Sequence, residues 1–128
     1  MEELFSIHVK ITEAYSLKSD HGSVNQILFT GECHAPFFTG VILPGGVDTQ
    51  IISRDGECLL SARYMLEGTD NTGKPAKIYI ENNGDMSKTH PRIITDNENL
   101  RWLETTPLQG RITGWEHGVD IHFSKENE

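Results

Sequence analysis

Residues 54–84 read RDGECLLSARYMLEGTDNTGKPAKIYIENNG, and their period decides the fold. Leu60, Ala62, Tyr64 and Leu66 alternate with Leu59, Ser61, Arg63 and Met65. Ile78, Ile80 and Asn82 alternate with Lys77, Tyr79 and Glu81. Side chains two residues apart share a face of a strand. The stretch therefore reads as two strands joined by GTDNTGKP, a loop rich in turn-forming residues. Parity puts Tyr64 and Asn82 on one face with aliphatic neighbours, and Arg63, Met65 and Tyr79 on the other.

The same period continues in both directions. Phe5, Ile7, Val9 and Ile11 alternate with Ser6, His8 and Lys10, an amphipathic first strand. Residues 16–26, SLKSDHGSVNQ, read as a turn or loop. A second strand over 27–34 is interrupted by Pro36, and a short apolar piece over 37–43 stops at Pro44-Gly45-Gly46. Residues 47–53 form the next strand, closed by a hairpin turn at Arg54-Asp55-Gly56. A short strand over 91–95 and a final hairpin of 106–114 with 119–123 complete the set.

The helical signal is DNENLRWL, residues 96–103: Asp96 or Asn97 caps it, Glu98 suits the dipole, and Leu100 and Leu103 share a face. Eight or nine short strands with one short helix describe an all-β chain. The expected architecture is a small closed or nearly closed antiparallel β-barrel of about eight strands, because closure removes exposed edges. A two-sheet β-sandwich is the alternative. A length of 128 residues suits a single barrel domain, 1–128.

Bulk properties exclude several classes. A net charge of -8 with dispersed acids repels phosphate backbones, so no nucleic-acid partner is expected. No apolar run is long enough for a membrane span, and the acidic, alternating N-terminus does not resemble a signal peptide. A cytoplasmic location is expected, and the last five residues, SKENE, read as a frayed tail. Cys33 and Cys58 read as free thiols, and the adjacent Cys33 and His34 point to opposite faces. Six histidines are scattered without ligand spacing, so no metal is expected. His8 and His122 would form a surface pair if the first and last strands met. No cofactor fingerprint and no nucleophile motif appears, so no cofactor is expected.

Ordered along the chain are LPGGVD (43–48), DGECLLSARYML (55–66), IYIENNG (78–84), Pro91-Arg92, LRWL (100–103) and GVDIHF (118–123). With these elements the chain resembles the uncharacterised protein family UPF0311, also known as the domain of unknown function DUF3237. The resemblance spans about residues 27 to 123 and implies a small, mostly antiparallel barrel without an established activity. The elements that family members carry correspond here to Gly45, Gly46 and Asp48, to Arg63-Tyr64, to Tyr79 and Asn82, and to Pro91-Arg92.

An inward phenol and amide need hydrogen-bond partners, and a ligand can supply them. Asp48, Tyr64, Asn82 and Arg92 are therefore the candidate ligand-binding residues, around the polar head of a small, partly apolar organic molecule. Trp102 is expected to cap a barrel opening. The alternative is a cofactor-independent isomerase or lyase on a small metabolite, with an Asp or His as base. The outward Arg63, Met65 and Tyr79 suit the interface of a homodimer.

Overall fold

A computed structural model describes residues 2–126. Among these residues nine strands form one antiparallel sheet: β1 (Glu3–Ser19), β2 (Gly22–Ala35), β3 (Phe38–Ile42), β4 (Val47–Ser53), β5 (Cys58–Asp70), β6 (Pro75–Asp85), β7 (Thr89–Thr95), β8 (Leu108–Trp115) and β9 (Gly118–Lys125). β1 pairs with both β2 and β9, which turns the sheet back on itself. The result is a nearly closed barrel rather than a two-sheet sandwich.

β3 and β4 together occupy one place in the ring. The C-terminal half of β2 and the same half of β5 pair with β3, and their N-terminal halves pair with β4. The chain switches between the two across Pro44-Gly45-Gly46, where Gly45 takes φ +111°, a conformation that side chains disfavour. Counted this way the ring has eight positions. Its weak seam lies between β7 and β8, which meet only at Thr89 and Gly110. A Cβ on Gly110 would come within 2.5 Å of Thr89 Oγ1, so glycine allows the seam to close.

Parity holds. Leu60, Ala62, Tyr64 and Leu66 are buried with Ile78, Ile80 and Asn82, whereas Leu59 and Met65 are exposed. The interior also takes Phe5, Ile7 and Val9 from β1 and Ile121 and Phe123 from β9. Two expectations need correction. The expected loop at 16–26 is the tip of a long β1–β2 hairpin with its turn at Asp20-His21, because the polar residues there pair strand to strand in register. The expected helix is shorter and broken: a 3₁₀ turn (Glu98–Leu100), then α1 (Trp102–Thr105). Asn97 is its cap, accepting from the Asn99 N–H at 2.7 Å.

This helical segment covers one end of the barrel. Leu100 and Leu103 are buried there, and Trp102 packs edge-on to Phe37 at 5.0 Å, which in turn meets Phe5. Asp70, at the end of β5, ties the segment down. Its Oδ1 accepts from the Thr72 N–H, the Thr72 hydroxyl and the Lys74 N–H, and its Oδ2 from the Asn97 and Asn99 amides at 3.0 and 2.9 Å. The expected frayed tail is also tied at its start: Ser124 and Lys125 belong to β9, and the Glu126 N–H donates to the Pro107 carbonyl at 3.0 Å. Its last two residues lie outside those described. Among the described residues no helix is long and apolar enough to cross a membrane.

Candidate functional site

The end of the barrel opposite the helix is not filled. A cavity of about 130 Å³ lies there, walled by Val9, Ile27, Phe29, Leu60, Val119 and Ile121. Ile11, Met86 and Ile112 stand at its mouth, all three substantially exposed. Four polar side chains interrupt this apolar lining: Asp48, Gln50, Asn82 and Thr89.

Strand register explains their grouping. Asp48 on β4 is directly opposite Ala62 on β5, and Ala62 is directly opposite Asn82 on β6. The three residues form one transverse row on the inner face, about two strand spacings or ~10 Å wide. Ala62 is the short side chain in the middle, and the space above it is part of the cavity. Gln50 follows Asp48 on the same face, and its amide donates to Asp48 Oδ2 at 3.2 Å. Asn25 donates to Gln50 Oε1 at 3.3 Å, and the Ser16 hydroxyl donates to Asn25 at 2.7 Å. A chain of side chains from the β1–β2 hairpin thus holds one oxygen of Asp48.

The other oxygen has no partner. Asp48 Oδ1, Asn82 Oδ1, Thr89 Oγ1 and Tyr64 Oη are the buried side-chain polar atoms without a hydrogen bond among the described residues. Each such atom costs roughly 1–3 kcal/mol when left without a partner. Three of the four belong to cavity-lining residues, and the Tyr64 ring meets the lining residue Phe29 edge-on at 5.3 Å. Burial raises the Asp48 carboxyl above its ordinary value, against the hydrogen bonds from Gln50 and the Ser61 backbone. Burial also raises the Tyr64 phenol, and the nearby Cys33 and Asp48 add to this. The phenol is therefore neutral in the working range of pH.

The other predicted residues fall elsewhere. Arg92 is exposed and opposite Glu81 on the outer face, because Pro91, not Arg92, shares the row of Asn82. Trp102 caps the closed end, far along the barrel from Asp48. Arg63 is outward and pairs with Glu81 at 3.3 Å, and Met65, Tyr79 and Ile94 form a transverse row on that outer face. His8 and His122 do not pair with each other: His8 bonds to Asp120 at 2.6 Å and His122 to Glu3 at 2.6 Å. Among the described residues no group of three or more His, Cys, Asp or Glu side chains is placed to hold a metal. Cys33 is buried and its thiol is pushed up to about 11 by desolvation, while His34 bonds to Glu32 on the outside.

Gln50 and Thr89 are the site residues that sequence reasoning missed. Gln50 was reachable, since it lies two residues from Asp48 on the same strand face. Thr89 was missed because the expected strand began at residue 91, whereas β7 starts at Thr89, which pairs with Gly84 of β6.

Comparison with known proteins agrees with this picture. An uncharacterised UPF0311 protein of Clostridium acetobutylicum is 41% identical over 86 residues, which cover 65% of this chain and 52% of that relative. The match thus spans about half the length of the curated relative. A crystal structure of a protein of unknown function from the same organism superposes with a TM-score of 0.83 at 28% identity, covering 97% of this chain and 94% of that one. A structure described as a beta-barrel like protein from Acinetobacter baumannii superposes with a TM-score of 0.80 at 21% identity, over 97% of this chain and 93% of its own. Residues 1–88 match the family described as "Protein of unknown function (DUF3237)", and with the barrel and its ordered motifs this chain belongs to that family.

Proposed function

We propose that the barrel binds a small, partly apolar organic molecule in the cavity at its open end. The observation that carries this reading is that three unpartnered buried polar atoms, on Asp48, Asn82 and Thr89, belong to residues that line one apolar hollow. At the closed end the chain saturates its buried polar groups, as Asp70 illustrates. An apolar cavity with a few polar groups at one wall is the usual composition of a small-molecule site. A thermal-shift screen of small alcohols, phenols, amines and acids tests it, with Ala62→Leu as the filled-cavity control. Binders are expected to raise the Tm of the natural protein and not of Ala62→Leu. Equal shifts in both proteins would place binding elsewhere and sink the reading.

A cofactor-independent isomerase or lyase is the second reading. One feature favours it: Asp48 is a desolvated carboxyl with a raised pKa, near enough to the neutral Tyr64 phenol to act on it, which suits a base with an oxygen-stabilising donor in its neighbourhood. We also propose that two copies meet through the outward Met65, Tyr79 and Ile94 row beside Arg63, since both Met65 and Ile94 are exposed apolar side chains. Sedimentation showing only monomer at high micromolar concentration would dispose of that pairing.

A further inference from the structure

We infer that the cavity takes a small amine, bound as its ammonium ion with Asp48 as the counter-charge. This rests on the binding reading above and narrows it to one ligand chemistry. Three observations lead there.

The hydrogen-bond deficit of the site has a direction. The free atoms of Asp48 and Asn82 are carbonyl-type oxygens, which accept, while the Thr89 hydroxyl does either. A molecule that completes this set must bring N–H or O–H donors. A carboxylate brings only acceptors and leaves Asp48 Oδ1 and Asn82 Oδ1 unpaired.

The charge of the site is one-sided. Asp48 is the one acid in the lining, and no Lys, Arg or His lines the cavity with it. The titratable group that senses Asp48 is Tyr64 on β5, which also senses Cys33 on β2, and both are neutral at ordinary pH because burial raises them. Arg63 and Glu81 belong to the outer face and pair with each other. An anionic ligand would therefore meet a buried negative charge with nothing to offset it. A cation supplies the missing partner, and a hydrogen bond between ions is roughly twice as strong as one between neutral groups. The net charge of -8 acts in the same sense at long range by drawing cations to the surface.

The hydrogen bonds around Asp48 leave one oxygen for a ligand. Gln50, held by Asn25, occupies Oδ2 and leaves Oδ1 free. The apolar walls beyond, including Ile27, Phe29 and Val119, receive the body of the amine. Asn82 and Thr89, across Ala62, remain for a second donor on that body.

A matched series separates the head group from the body: 2-phenylethylamine, 2-phenylethanol and phenylacetate, titrated calorimetrically into the full-length protein. The amine is expected to bind about tenfold tighter than the alcohol, a difference near 1.4 kcal/mol, with the acid weakest. Asp48→Asn keeps the shape of the site and should bring amine and alcohol to within about threefold of each other. Lowering the pH from about 7 to about 4 should weaken the amine and leave the alcohol unchanged, since the carboxyl loses its charge while the amine keeps its own. Alcohol binding by Asp48→Asn reports that the variant is folded.

An acid that equals or outbinds the amine overturns the inference. So does an amine advantage that survives Asp48→Asn. If all three probes bind equally to the natural protein and none binds to Ala62→Leu, the cavity reading stands and the amine assignment falls. If none binds at millimolar concentration, both fall.

Discussion

Asp70 and Asp48 are two aspartates on neighbouring positions of the same barrel, one at each end, with opposite surroundings. Asp70 is 4% exposed and accepts five hydrogen bonds. Its carboxyl is held well below the usual range, first by the Thr72 hydroxyl and then by Asn99. Asp48 has a single side-chain partner, Gln50, and burial raises its carboxyl. The closed end spends its polar groups on one another and joins the β5–β6 turn to the helical segment. The open end leaves its polar groups facing a hollow. A chain that satisfies a carboxylate so completely at one end shows that the deficit at the other is local, not a general looseness of packing.

Asp70 is the residue whose loss should change the closed end most. Asp70→Ala strips the partners of Asn97, Asn99 and the Thr72–Lys74 turn at once. It is expected to lower Tm by more than about 5 °C, the largest loss of the set. Its contribution follows a depressed carboxyl, so it is present above the unfolded value of about 3.9 and is lost as pH falls toward the lower folded value. Melting curves of both proteins should converge in acid. A variant as stable as the natural chain would mean that the cap of the closed end is held by apolar packing alone.

Asp48→Asn should act in the other direction. A raised carboxyl favours the fold below the unfolded pKa, and that advantage disappears as pH rises through the folded value. At neutral pH the ionised Asp48, with one oxygen lacking a partner, therefore costs stability. The amide is expected to raise Tm by roughly 3 °C at about pH 7 and to give no gain at about pH 3.5. A lower Tm at neutral pH would contradict the claim that Asp48 is held at the expense of stability.

The smallest effect is expected from Tyr64→Phe. The hydroxyl removed has no partner, so the change should be neutral or stabilising, within about 1 kcal/mol, in chemical denaturation. A loss of several kcal/mol would reveal a partner for Tyr64 Oη within the fold.

Much of the barrel was legible in the chain, and for a definite reason. Alternation along residues 59–66 and 77–82 assigned inner and outer faces that burial reproduces, Asn82 and Tyr64 included. The hairpin at Asp55-Gly56 and the break at Pro44-Gly45-Gly46 were equally local signals. The site was legible in part. Asp48 and Asn82 do line the cavity, but Arg92 faces outward and Trp102 seals the other end. Arg92 was placed by its position near a strand end and Trp102 by its position on the short helix, and neither local cue says which face or which end of the barrel the side chain reaches.

What the amino-acid order determined by itself is the period, the turns and the face of each side chain, because these depend on residues within a few positions of one another. Tertiary structure alone decided that Asp48, Ala62 and Asn82 lie in one row, that Thr89 meets Gly110 across the seam, and that helix and cavity occupy opposite ends. The row follows from the registers of two consecutive hairpins, β4–β5 and β5–β6, whereas the seam and the closure rest on strands farther apart in the chain, β7 with β8 and β1 with β9. Register at that distance is set by the summed packing of the whole interior, and no short stretch of sequence carries it.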